Sequence, residues 1–324
     1  MLNRLASSNG TALYRYGESG GFESWIATTP QTRGICNDPR IAGVRYTASL
    51  QEACANVLRL APLSLEENSA VLVNILRGGL NFGLRDALHE AFSWNNHTTC
   101  FISAQRARGG ADPEEWHITE NAYRKLYFPR EASFLIGDVV ATGTSLRYAL
   151  TELIAAAQQS GTQLRNIVFF TIGGPKAIEI LRAVDEQCRA FFPSYQQTRL
   201  IFFEGCFTVP DTTTPLTIRL TGTDLVRLNA VMAPEFIESQ YEDPSYPLER
   251  CVIYDAGSRA FWVREYAADV TSYWQQVLNL AGRHVTFASY LKERFPEMDA
   301  SRFGDVPLDS LALRQIERVK PMIH

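Results

Sequence analysis

Ser133-Phe134-Leu135-Ile136-Gly137-Asp138-Val139-Val140-Ala141-Thr142-Gly143-Thr144-Ser145 decides how the chain reads, because an apolar strand, a carboxylate, a hydroxyl-rich turn centred on glycine and a helix start follow in that order. The apolar run ends at Asp138, and beyond the turn Leu146, Ala149, Leu150, Leu153 and Ile154 recur at helical spacing. A glycine at the centre lets the backbone bend where other residues cannot. Successive amides at a helix start point outward at an anion, and Thr142, Thr144 and Ser145 add hydroxyl donors. The stretch reads as a cradle for a phosphate monoester and its sugar.

This stretch resembles the phosphoribosyl diphosphate (PRPP) motif of the type I phosphoribosyltransferases: an apolar strand, two acidic residues, two apolar residues, a variable residue, then Thr-Gly-x-Thr/Ser. The resemblance implies that Ala141, Thr142, Gly143, Thr144 and Ser145 hold the 5-phosphate and that Asp138 holds the ribose hydroxyls. Gly137 departs from the pattern by standing at the first acidic position. Upstream, Val71-Leu72-Val73-Asn74-Ile75-Leu76 runs into Arg77-Gly78-Gly79, and the stretch opens into a helix at about Leu84. That junction looks like the family's pyrophosphate loop, with Gly78 and Gly79 letting backbone amides approach the diphosphate and Arg77 supplying a bidentate fork. The polar run Gln105 to His117 joins two expected core strands and is similar in position to the family's flexible catalytic loop. Arg106 and Arg108 are then candidates to contact diphosphate, with Lys125 a further one.

Each piece also has a plainer reading. Arg77-Gly78-Gly79 taken alone is equally an ordinary strand-to-helix turn, and Arg106 and Arg108 are equally solvated charges. The chain carries its own control in Thr221-Gly222-Thr223-Asp224, which has no carboxylate before it and reads as a turn with Thr223 or Asp224 capping the next helix. Gly173-Gly174-Pro175-Lys176 follows a core strand where family members often touch the base, but Pro at a first helical position is a start signal needing no ligand. His117 beside two acids is read as solvated rather than as a metal ligand.

At 324 residues the chain exceeds one minimal α/β domain, since domains cluster at roughly 100–200 residues. A net charge of −4 with no basic tract argues against nucleic acid as the main partner. The 6 cysteines are scattered, with neither Cys-x-x-Cys nor a nearby His pair, so reduced thiols are expected rather than zinc or disulfides. No leader and no membrane-length segment is visible, and a soluble cytoplasmic protein is expected.

Between residues 45 and 205, strands and helices alternate, with strands expected at 71–76, 99–104, 133–137, 166–172 and 200–203. Helices are expected at 49–60, 80–92, 144–159 and 175–190, and in the flank an amphipathic one at 266–280. Continuous apolar strands alternating with helices predict an α/β fold: a mostly parallel twisted sheet with helices on both faces. The resemblance narrows this to the type I phosphoribosyltransferase fold. Residues 1–44 are then an N-terminal extension and 206–324 a C-terminal one, either of which serves as a hood over an acceptor or in assembly.

The resemblance implies an enzyme that moves phosphoribose from PRPP to a nitrogenous base or related heterocycle, releasing diphosphate, as a homodimer. Mg²⁺ is expected as cofactor, held mainly by PRPP itself, with no dedicated metal ligands in the protein. The alternative is a non-catalytic sensor that keeps the fold to bind PRPP or a nucleotide.

Overall fold

The computed structural model of the chain describes residues 2–76, 78–108, 116–219, 224–250 and 256–323. Among them ten strands form one sheet. These are β1 (Asn3–Ser8), β2 (Thr11–Ser19), β3 (Phe22–Thr28), β4 (Ala70–Leu76), β5 (Thr98–Arg108), β6 (Trp116–Lys125), β7 (Glu131–Gly137), β8 (Gln163–Gly173), β9 (Gln197–Thr208) and β10 (Val226–Met232). The helices are α1 (Pro30–Asn37), α2 (Val44–Leu60), α3 (Leu84–Phe92), α4 (Thr144–Ser160), α5 (Lys176–Phe191), α6 (Pro234–Ser239), α7 (Ala256–Phe261), α8 (Val263–Ala281), α9 (Phe287–Arg294) and α10 (Leu308–Val319).

Across the sheet the order is β1-β2-β3-β9-β8-β7-β4-β5-β6, with β10 joining β9. The pairs from β3 through β9, β8, β7 and β4 to β5 are all parallel, whereas β1, β2, β6 and β10 add antiparallel neighbours. The parallel strands are buried along almost their whole length, which is why they read as unbroken apolar runs. From β4 the chain passes through α3 to β5 in one direction across the sheet; from β7 it passes through α4, β8 and α5 to β9 in the other. Right-handed crossovers therefore put α3 on one face and α4 and α5 on the opposite face.

Helix boundaries follow local chemistry. Thr29 caps α1 by accepting from the Thr32 backbone N–H while Thr32 Oγ1 reaches back, and Pro30 opens the first turn. α4 buries Leu146, Ala149, Leu150, Leu153, Ile154 and Ala157, the stripe its spacing announces.

Three expectations change. α3 begins at Leu84, as the loop reading placed it, and the coarser span from 80 shortens because a 3₁₀ turn occupies Gly78–Phe82. The polar stretch expected as a long loop is largely an antiparallel ribbon, in which Arg106 pairs with Ile118 and Arg108 with Trp116. Residues 109–115 at its tip lie outside the described residues. Asp224, expected to cap a helix, instead precedes strand β10 and pairs with Arg250 at 2.8 Å, buried on both sides; Thr221 to Thr223 lie outside the described residues.

Candidate functional site

The two loops singled out in the sequence leave the sheet side by side. β4 pairs directly with β7, Val73 lying opposite Ile136, so the segments after Leu76 and after Gly137 emerge as neighbours. They also emerge where the chain reverses its direction of travel across the sheet. Such a switch point opens a crevice at the carboxyl ends of the strands, because the two connecting helices go to opposite faces.

Beyond β7 the chain stays tied to its neighbour for three more residues. The Asp138 N–H donates to Phe170 O at 3.1 Å, Val140 N–H to Ile172 O at 3.3 Å, and Gly174 N–H to Val140 O at 2.9 Å. These bonds fix where the turn begins. Asp138 is only 9 % exposed, and its Oδ1 accepts from the Val139 N–H at 2.9 Å, which orients the carboxylate. Tyr46 of α2 lies close enough to Asp138 to feel its charge. Burial, the main influence, pushes the Tyr46 phenol well above its ordinary range, eased by Arg259 and reinforced by Asp138 among others. The Tyr46 hydroxyl is buried without a hydrogen-bond partner.

At Gly143 φ is 77°, left-handed, and a Cβ there would run into Ile180 Cδ1 of α5. The left-handed φ favours glycine, and any larger residue would also have to displace the end of the Ile180 side chain. The residue ends the turn and opens α4, whose first turn holds no acidic residue and whose N-terminus no side chain caps. The first helical bond runs from the Arg147 N–H to Gly143 O, leaving the amides of Thr144 to Leu146 without helical acceptors. Thr142 and Thr144 bring their Oγ1 atoms to 3.4 Å, and both residues, with Ala141 and Ser145, are partly exposed. A helix N-terminus with its dipole and two hydroxyls close together, partly open to solvent, is an arrangement able to hold an anion.

On the β4 side, Gly78 and Gly79 form the 3₁₀ turn with Leu80, Asn81 and Phe82. A Cβ on Gly79 would stand 3.1 Å from Gly137 O and 3.3 Å from Asn74 Cα, so the two loops touch backbone to backbone. Arg77 lies outside the described residues. β5 is level with the end of β4 at Ser103 and continues to Arg108. The backbone of Arg106 and Arg108 thus lies on a strand that extends past the loop edge by about 17 Å at the usual rise per residue. Lys125 is exposed and pairs with Phe101, level with Asn74 and short of that edge. Lys176 forms an exposed ion pair with Glu179 at 2.7 Å in the first turn of α5, in keeping with the start-signal reading of Pro175.

Two contributors were not legible. Phe82, fully buried, occupies the space beside Gly137, where a Cβ would fall 2.6 Å from the Phe82 Cβ and 2.8 Å from its Cδ1. A phenylalanine after a glycine pair looks like any core residue, and its contact spans 55 positions of chain, the difference between 137 and 82. The other is α7, from the C-terminal flank, which packs on the Gly78–Phe82 turn. Its Arg259 is 1 % exposed and donates from Nε to Ile41 O at 2.7 Å and from Nη2 to Asp38 O at 2.8 Å. The guanidinium also stacks between Tyr46 and Tyr266, 5.3 and 5.2 Å from their ring centres.

Among the described residues no group of three or more His, Cys, Asp or Glu could hold a metal ion. Cys36, Cys54, Cys100, Cys188 and Cys206 are buried and form no disulfide, and Cys251 lies outside the described residues. No helix among the described residues is long and apolar enough to cross a membrane. No protein-family model matches the chain, and no curated protein matches it.

Proposed function

We propose that the protein is a phosphoribosyltransferase of the type I fold, moving the 5-phosphoribosyl group from PRPP to a nitrogenous base or related heterocycle with release of diphosphate. The observation that carries this reading is the adjacency of two loops at the switch point, with the carboxylate of Asp138 at the start of the second. A ligand with phosphate at one end, a sugar in the middle and diphosphate at the other matches that sequence of groups.

In this reading the α4 amides and the Thr142, Thr144 and Ser145 hydroxyls take the 5-phosphate, and Asp138 accepts hydrogen bonds from the ribose hydroxyls. The backbone of Gly78 and Gly79, with Arg77, takes the diphosphate, and Arg106 and Arg108 close over it from the ribbon. Departure of diphosphate builds positive charge on the ribose ring, so the site works by placing charge rather than by a strong nucleophile. A lone carboxylate suits Mg²⁺ carried in by the diphosphate, since that ion keeps waters and substrate oxygens as ligands. When bound, the ion neutralises charge on the leaving group. Supporting the enzyme is the ribbon rising beside the loops, as a water-excluding cover requires.

One observation favours a second reading, a PRPP- or nucleotide-binding sensor without turnover: Gly137 leaves one carboxylate where two are usual in the family. Diphosphate release from PRPP with Mg²⁺, measured against purines, pyrimidines and less common heterocycles, separates the two. Release with one acceptor establishes the transferase. PRPP binding without release across the panel establishes the sensor and sinks the enzyme.

A further inference from the structure

The turn after β4 is pinned at three points. Gly79 lies against Gly137 O of β7, Phe82 fills the space above Gly137, and at Gly83 a Cβ would stand 2.9 Å from Gln51 Cβ of α2. Gly83 itself has a φ of 54°, which turns the chain sharply into α3. The central pin is Phe82. It is fully buried, so it does not face a ligand, and it belongs to one loop while filling the side-chain position of the other.

We propose that Phe82 is a positioning residue that locks the two anion-binding loops at a fixed separation, so that one ligand is gripped at both ends. The inference rests on the phosphoribosyltransferase reading and deepens it: the site selects a sugar phosphate that also bears an anomeric diphosphate over one with the 5-phosphate alone. Two binding elements on a rigid frame act on one ligand as an intramolecular pair, and that advantage disappears when the frame loosens. Gly137 belongs to the same device, because any larger residue there would push Phe82, and its loop, away from β7.

The test compares PRPP with ribose 5-phosphate by calorimetry, with Mg²⁺, on the full chain and on Phe82→Leu, Phe82→Ala and Gly137→Ala. PRPP affinity should fall about 10- to 100-fold in Phe82→Ala, the range that misplacement by about an ångström produces. Ribose 5-phosphate affinity should stay within about twofold, because the α4 amides are untouched. Phe82→Leu, which keeps the core filled and folds most readily, should show the same selective loss in smaller degree. Gly137→Ala should reproduce it from the opposite partner, and combining it with Phe82→Leu should cost less than the two separate losses, since the smaller side chain makes room for the methyl group. Equal loss of both ligands, or wild-type PRPP affinity in folded Phe82 variants, overturns the positioning role alone. A wild-type chain that binds ribose 5-phosphate and PRPP equally well also overturns it. Failure of the wild-type chain to bind either ligand overturns the phosphoribosyltransferase reading, and the inference with it.

Discussion

A side chain at position 137 has no room beside Phe82, so a carboxylate could not stand there without displacing that ring. Another residue under constraint is Glu204 of β9. It is fully buried, adopts a φ of 65° rare for a non-glycine residue, and accepts from the Thr29 N–H at 3.0 Å and from the Thr32 hydroxyl through Oε1, while its Oε2 has no partner. Burial raises its pKa from the ordinary 4.5 to about 7, outweighing the lowering influence of the Thr32, Thr28 and Thr29 groups around it and the charge of Arg33. The native state therefore keeps this proton where the unfolded chain has lost it. The group's contribution to stability is complete below pH 4.5 and declines as pH rises through about 7. Glu204→Gln should flatten the fall in melting temperature between about pH 5 and pH 8, removing on the order of 3 kcal/mol of pH dependence at most. An unchanged slope would show that Glu204 is ionised in the native state. Residues whose chemistry is local, such as Asp138, Thr142 and Gly143, were legible in the sequence. Phe82, Tyr46 and Glu204 were not, because their significance lies in contacts made across the sheet.

Elements were legible where burial imposes a period. The core strands fall where expected and α4 matches its span, although β5 and β9 run several residues beyond theirs, since a buried strand must be apolar throughout and a surface helix must carry one apolar stripe. The β5–β6 ribbon was not, because its run of polar and charged residues reads as a loop while its pairing is made by the backbone. Nor was the role of α7, whose place beside the Gly78–Phe82 turn depends on Arg259 reaching Ile41 O and Asp38 O. Arg259→Met keeps much of the volume but removes both bonds, leaving the part-buried Ile41 O without this donor and Asp38 O with the Ile41 N–H. It should lower stability by about 2–4 kcal/mol in urea unfolding. PRPP affinity should fall with it if α7 supports the turn. Stability within about 0.5 kcal/mol of wild type would mean that α7 docks without this residue.

At the scale of the molecule, the flanks are woven into the sheet. β3 pairs in parallel with β9, and the segment after β9 returns to the N-terminal region. Arg227 donates to Cys36 O at 3.0 Å, Gln240 to Asn37 Oδ1 at 2.7 Å, Asn37 to Ser239 Oγ at 3.0 Å, and the Tyr14 hydroxyl to Glu235 at 2.7 Å. Buried polar bonds that join the flanks to each other predict one cooperative thermal transition by scanning calorimetry, with calorimetric and van't Hoff enthalpies equal. Two resolved transitions would show the flanks to be independent. Neither flank's path was legible, because each is set by partners far away in sequence. What the whole fold achieves is to bring the ends of β4 and β7 together, and the central claim is that this junction binds PRPP. The most direct test is calorimetric binding of PRPP with Mg²⁺ to the wild-type chain and to Gly143→Val, in which the left-handed turn and the contact with Ile180 are both violated. Saturable binding with one site per chain, lost in a folded Gly143→Val, is the predicted result. No binding to the wild type, or equal binding to both, would contradict the account.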